Sequence, residues 1–161
     1  MTDLLTPAPS LTQLSEEERL FRASVRNFAE TEIAPRVRDM EEQGAIPRAL
    51  VDQLFDLGVM AIEIPETFGG AGGTFFLSVI AVEELSRVDP SVAVLVDVQN
   101  TLVVNALVKW GSVDVQQRFL TALAAGTIGA YALSEAGSGS DAFALKTRAV
   151  EDGDDYVLTG R

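Results

Sequence analysis

The stretch Tyr131-Ala132-Leu133-Ser134-Glu135-Ala136-Gly137-Ser138-Gly139-Ser140-Asp141 separates two kinds of sequence. Before it, apolar residues recur at helical spacing; after it, apolar and polar residues alternate about Asp152-Gly153. An Asp-Gly pair between alternating runs signals a tight hairpin, with positive φ expected at both central positions. Tyr131-Ala132-Leu133 reads as a short strand opening into a Gly/Ser turn. The fold class expected is mainly α: a helical body, then the first strands of an antiparallel β domain that is incomplete at Thr159-Gly160-Arg161 and has edges open to further pairing. The expected division is a loose tail over 1–14, a helical domain over 15–128 and the truncated start of a β domain over 129–161.

Upstream, Ser15-Glu16-Glu17-Glu18 is a capping box that opens a helix, and Phe21, Val25 and Phe28 form its apolar stripe. Pro35 disfavours helical geometry at Ala34 and removes one ladder bond, which predicts a kink or break before a piece that Gly44 ends. Pro47 suits the first position of a second helix carrying Leu50, Val51, Leu54 and Phe55, with Gly58 as its stop. Pro65 to Gly73 is too glycine-rich for a helix and reads as a loop. A third helix runs from about Thr74 to Asp89-Pro90 and a fourth from Ser91 to Trp110. The fourth is rich in Val, but its length favours helix over strand. Ser112 caps a last helix with Val115, Phe119, Leu120 and Leu123 on one face, closed by Gly126.

The 161 residues are 47% hydrophobic and 22% charged, a globular composition. Cys and His are both absent, which excludes a disulfide framework, a Cys/His zinc site and any His-dependent nucleophilic triad; no metal site is expected. Twelve basic against twenty-four acidic residues give a net charge of -12, a field that repels nucleic acid and anionic membrane surfaces. The first ten residues hold an acid and no Lys or Arg, unlike a secretory or transit leader, so a cytoplasmic location is expected. Asp97, Gln99, Asn100 and Asn105 interrupt the apolar run Val92 to Val108, which favours a buried core helix over a membrane span.

The Gly/Ser turn after Leu133 offers hydroxyls and closely spaced N–H groups, the elements of an anion-binding nest. A phosphate loop of the Gly-Lys-Ser/Thr kind is missing. Gly137-x-Gly139-x-x-Ala142 fits a dinucleotide fingerprint only formally, because a hairpin turn follows where a long helix is required. On spacing alone the turn is a surface loop, Tyr131 and Leu133 are strand core, and Ser134 and Ser140 are hydroxyls that cap turns.

Several ordered motifs resemble the flavin-dependent acyl-CoA dehydrogenases. Ile33-Ala34-Pro35-Arg36, Gly58-Val59-Met60-Ala61-Ile62, Pro65-Glu66 with Phe68-Gly69-Gly70-Ala71-Gly72, and Val82-Glu83-Glu84-Leu85-Ser86 are similar to that family's helical N-terminal domain, and Tyr131 to Ser140 to its flavin-binding signature. Gln99-Asn100-Thr101-Leu102, Ser134-Glu135-Ala136-Gly137 and Phe143-Ala144-Leu145-Lys146-Thr147-Arg148 resemble most the short/branched-chain branch.

The resemblance implies FAD as cofactor and an acyl-CoA thioester as substrate, with a carboxylate taking the α-proton and the β-hydrogen leaving as hydride to the flavin. It further implies an electron-transfer flavoprotein as oxidant and a homo-oligomer when the enzyme is complete. By that analogy Tyr131, Leu133 and Ser134 lie along the flavin ring, Gly139 and Ser140 approach the pyrophosphate, and Ser140 also meets the acyl-CoA. The family's Trp-Ile-Thr-type strand and its helical bundle with the catalytic Glu have no counterpart here, so no catalytic residue is assigned. Glu135 is a tempting base but reads as a turn residue, and Glu83-Glu84 as a solvated helix face. The chain alone is therefore expected to be inactive. Alternatives are a non-catalytic helical partner or truncated module, and an acyl-CoA oxidase.

Overall fold

The structure, a computed structural model, describes residues 13–160 and divides into two compact units, one extending to Ala130 and the other beginning at Tyr131. Most of the expected tail lies outside the described residues. Helix α1 (Glu16–Phe28) opens on the capping box: Glu18 N–H donates to Ser15 Oγ at 3.1 Å, and Ser15 N–H donates to Glu18 Oε2 at 2.7 Å. Where a kink or break is expected at Pro35, the α winding is interrupted by a change of winding. A π turn over Ala29–Ile33 and a 3-10 turn over Ala34–Arg36 lead into α2 (Val37–Gln43), and Ala34 keeps right-handed helical angles. Rewinding thus absorbs the bond that proline removes without breaking the helical path. Pro47 is the extended residue just before α3 (Arg48–Asp56), one place earlier than the sequence predicts.

The Gly-rich stretch holds one 3-10 turn, Glu66–Phe68, and then lies against Ala61–Ile64. Ala71 N–H donates to Ala61 O, Gly72 N–H to Ile64 O, and Gly73 N–H to Ile62 O, at 2.7–3.0 Å. A Cβ on Gly70 would stand 2.2 Å from Ile64 O, so only glycine admits this approach of backbone to backbone. Helix α4 (Phe75–Ser86) follows. Asp89 then caps α5 (Pro90–Asp97) by accepting from Ser91 and Val92 N–H at 2.7 and 2.9 Å.

From α5 the helix continues through a π-wound segment, Val98–Val104, into α6 (Asn105–Trp110); the choice of helix over strand for this Val-rich run was correct. By length and apolarity Pro90–Trp110 also meets the requirements of a membrane span. Its central amides, however, are engaged in the protein. Asn100 donates to Val59 O and Val96 O at 2.8 and 2.9 Å and accepts from Ile62 N–H at 3.0 Å. Helix α7 (Val113–Ala124) buries Leu120 and Leu123, while Phe119 turns outward beneath Arg118 instead of joining that face.

Two apolar clusters hold this unit together. The larger joins α1, α3, α4 and α5 through Val25, Leu50, Leu54, Leu85, Val92 and Val96. The smaller joins the 61–64 segment, the π-wound segment and α7 through Ile64, Val104, Leu120 and Leu123. Beside the larger cluster, Glu84 is buried and takes two bonds from Arg26, Nε at 2.7 Å and Nη2 at 3.0 Å. This corrects the solvated-face reading for Glu84; Glu83 is exposed. A carboxylate that close to the core is tolerable only with such a partner.

In the second unit, β1 (Arg148–Asp152) and β2 (Asp155–Thr159) form an antiparallel hairpin, Arg148 opposite Thr159 and Asp152 opposite Asp155. The turn is Gly153-Asp154, one residue later than predicted, and only Gly153 (φ 65°) has positive φ. That places glycine at the first central position, as a type II′ turn requires, so the hairpin was read correctly and its turn was not. Tyr131-Ala132-Leu133 has no ladder, because no strand among the described residues lies alongside it.

Candidate functional site

Three bonds fold the segment Tyr131–Asp141 into a compact loop. Glu135 N–H donates to Ser138 O at 3.0 Å and Ser138 N–H to Glu135 O at 3.1 Å, an isolated antiparallel bridge. The buried Ser138 hydroxyl donates to Asp141 O at 2.8 Å. Asp141 in turn accepts from Phe143 N–H at 3.2 Å and caps the 3-10 turn Ala142–Ala144. The turn-capping tasks expected of Ser134 and Ser140 therefore fall to Ser138 and Asp141.

Glu135 is the pin of this unit. Its carboxylate accepts from Lys146 N–H at 2.8 Å and Thr147 N–H at 3.0 Å, joining the loop to the residues that enter β1. The Thr147 hydroxyl and then these two N–H groups hold its carboxyl below the usual glutamate range. A carboxylate stabilised in its ionised form, with both oxygens engaged, is a poor proton acceptor. The turn-residue reading of Glu135 stands on this geometry. Its partners lie eleven and twelve positions away, a distance that no local motif encodes.

The five residues predicted to meet a flavin are all exposed. Tyr131 and Leu133 are 46% and 41% accessible, and Ser134, Gly139 and Ser140 are open as well. Among the described residues, the N–H groups of Leu133, Ser134, Gly139 and Ser140 and the hydroxyls of Ser134 and Ser140 have no hydrogen-bond partner. A Cβ on Gly139 would meet nothing within 4 Å, so a ligand can approach that backbone freely. Two apolar side chains beside open donors fit a flat ring with a polar rim, and the glycine-serine turn fits an anionic phosphate. By contrast, every N–H from Gly69 to Gly73 is already bonded within the helical unit, so that glycine loop has no backbone donor left for an anion.

The described residues include two clefts, the first of them beside this loop. One of about 540 Å³ in the second unit is lined by Glu135, Gly137, Lys146, Arg148 and Thr159, among others. One of about 790 Å³ in the helical unit is lined by Met40, Ile46, Val51, Asp89 and Leu95, among others. Neither contains any of the five predicted residues. Among the described residues no group of three or more acidic side chains is placed to hold a metal ion.

Residues 15–127 match the family model described as "Acyl-CoA dehydrogenase, N-terminal domain". Over 151 residues the chain is 48% identical to the probable short/branched chain specific acyl-CoA dehydrogenase of Dictyostelium discoideum, covering 93% of this chain and 37% of that protein. Among solved structures it is similar to a chain of the structure described as the electron transferring flavoprotein of Acidaminococcus fermentans, with a TM-score of 0.85 and 33% identity over 92% of this chain and 39% of that one. It is also similar to a glutaryl-CoA dehydrogenase from Mycobacterium smegmatis in complex with FADH2, with a TM-score of 0.84 and 32% identity over 91% of this chain and 38% of that one. The chain thus spans less than two fifths of the length of these relatives. With the family model covering the helical unit almost end to end and the fold agreeing, the chain belongs to the acyl-CoA dehydrogenase family through its N-terminal domain.

Proposed function

We propose that this chain supplies the helical domain and the first flavin-contacting segment of an FAD-dependent acyl-CoA dehydrogenase acting on short or branched acyl groups. The observation that carries the proposal is the open Tyr131–Ser140 segment, with exposed apolar side chains beside unpaired N–H and hydroxyl groups, in a chain of this family. When bound, FAD supplies hydride acceptance. Tyr131 and Leu133 offer apolar contact to its ring, Ser134 a hydroxyl and an N–H to the ring's polar rim, and Gly139 and Ser140 N–H groups to the pyrophosphate, Ser140 also meeting the acyl-CoA. The substrate class follows the Dictyostelium relative's name, and the cofactor follows the flavin in the glutaryl-CoA dehydrogenase structure. The electron-transfer flavoprotein is proposed as partner on the likeness to the Acidaminococcus structure. Homo-oligomeric assembly is proposed on family grounds alone.

No carboxylate of this chain is assigned as the base, because none matches the family's motif for it; Glu135 is committed to the backbone of Lys146 and Thr147 and Glu84 to Arg26. The chain by itself is therefore proposed to bind flavin without turning over. Titrating FAD with the purified chain while following flavin fluorescence, then adding butyryl-CoA or 2-methylbutyryl-CoA and an acceptor dye, tests both statements. The expected result is quenching with no dye reduction. Absence of quenching refutes the flavin-binding role, and dye reduction refutes the inactivity.

A further inference from the structure

Gln99 lies in the π-wound segment Val98–Val104 and is completely buried, although glutamine in an apolar helix is costly to bury without partners. Both ends of its amide are used, and both reach the same short piece of chain. Gln99 Nε2 donates to Thr127 O at 3.1 Å, and Gly129 N–H donates to Gln99 Oε1 at 2.7 Å. The neighbouring amide of Asn100 serves a different segment, Val59–Glu63. The piece held by Gln99 also presses on the same helix, for a Cβ on Gly129 would stand 2.6 Å from Val103 Cγ1. A polar clamp and a steric contact, four residues apart on one helix, thus fix Thr127–Gly129, close to the end of the helical unit at Ala130. π-wound turns inside helices commonly occur where a helix serves a site.

We infer that Gln99 is a positioning residue for the candidate flavin segment: it holds Thr127–Gly129, the piece of the helical unit from which the chain runs on through Ala130 to Tyr131, an inference that rests on the flavin reading above. Gln99 touches none of the five predicted flavin residues and acts only through Thr127 and Gly129. The Gln99→Leu variant keeps the side chain's volume and loses both bonds. Gln99→Glu keeps the acceptor for Gly129 N–H and loses the donor to Thr127 O.

The test reads amide hydrogen exchange along the purified chain, together with FAD binding by fluorescence. In Gln99→Leu, exchange at Gly129 is expected to accelerate roughly tenfold or more, while the amides of α1, α3 and α4 keep their protection and the melting temperature stays close to the parent's. FAD binding is expected to weaken about tenfold, and Gln99→Glu to restore much of the protection at Gly129 and part of the affinity. Unchanged exchange at Gly129, acceleration spread evenly over the helical unit, or full FAD affinity in Gln99→Leu would each overturn the inference. If the parent chain does not bind FAD, the flavin reading fails, and the exchange pattern alone decides whether Gln99 holds this exit.

Discussion

Pro65–Gly73 and Glu135–Asp141 look alike as sequence, each a run of small residues rich in glycine and bearing a glutamate near its start. Their hydrogen bonds are opposite. In the first, the N–H groups from Gly69 to Gly73 are all taken by carbonyls of the same unit, and glycine is required because backbone lies on backbone. In the second, the loop is closed by Glu135, Ser138 and Asp141, leaving the N–H groups of Gly139 and Ser140 without partners among the described residues. Glycine content alone does not tell the two apart; an account of the donors leaves open N–H groups for an anion only in the second.

Three substitutions or titrations can break or sharpen that contrast. The largest effect is expected of Gly70→Ala, whose Cβ would fall 2.2 Å from Ile64 O and 2.3 Å from Ile64 Cβ, neither of which can retreat without moving backbone. A loss of about 3 kcal/mol is expected in urea unfolding followed by far-UV circular dichroism. A loss below about 0.5 kcal/mol would show that the first loop is not sealed by glycine.

Gly139→Ala is the counterpart. With no atom within 4 Å of the new Cβ, unfolding free energy is expected to stay within about 0.5 kcal/mol of the parent's. FAD affinity is expected to fall about tenfold, equivalent to about 1.4 kcal/mol, because the methyl group obstructs approach to the backbone. Parent-like FAD binding in Gly139→Ala would remove this residue from the site.

The smallest effect concerns Glu135. Its carboxyl is held low in the folded chain by the Thr147 hydroxyl and the Lys146 and Thr147 N–H groups, so the ionised form is the one that folding favours. The contribution of a carboxyl lowered in this way is complete above the ordinary glutamate range and is lost as the pH falls through the lower folded-state value. Chemical shifts of the Lys146 and Thr147 amides, followed from neutral pH downward, are expected to move together below the usual glutamate range. Glu135→Gln should abolish that transition while α1 to α7 melt as before. A transition at the pH of an unperturbed glutamate would show that the pin is not formed.

Signals confined to one turn of chain were legible in the sequence. The capping box at Ser15 and Glu18, the cap at Ser112 and the hairpin about Gly153 all follow from residues within three or four positions of one another. At Pro35 the sequence marked where regular α winding stops but not its form, the π and 3-10 turns that give the ring its space. Glu84 was misjudged because its partner, Arg26, lies 58 residues away on another helix. The site shows the same division. Tyr131, Leu133, Ser134, Gly139 and Ser140 were picked out by a local motif, and the structure keeps all five open, without the strand pairing expected at Tyr131–Leu133. What shapes the loop, the Glu135 pin and the Ser138–Asp141 bond, depends on where the chain returns to itself.

The π-wound segment also bears on how this helix tolerates insertion and deletion. A π turn holds about one residue more than an α turn covering the same hydrogen-bonded path. Deleting a single residue between Val98 and Val104 would let the segment rewind as α-helix and keep Pro90–Trp110 continuous. The same deletion in α4 would swing everything after it by about 100° and expose Leu85 or Glu84. Chain length along the helical unit is therefore rigidly set in α4 and adjustable by one in the middle of Pro90–Trp110. An indel scan would find a codon lost here with the helix intact, and the π turn at Ala29–Ile33 offers a second such place.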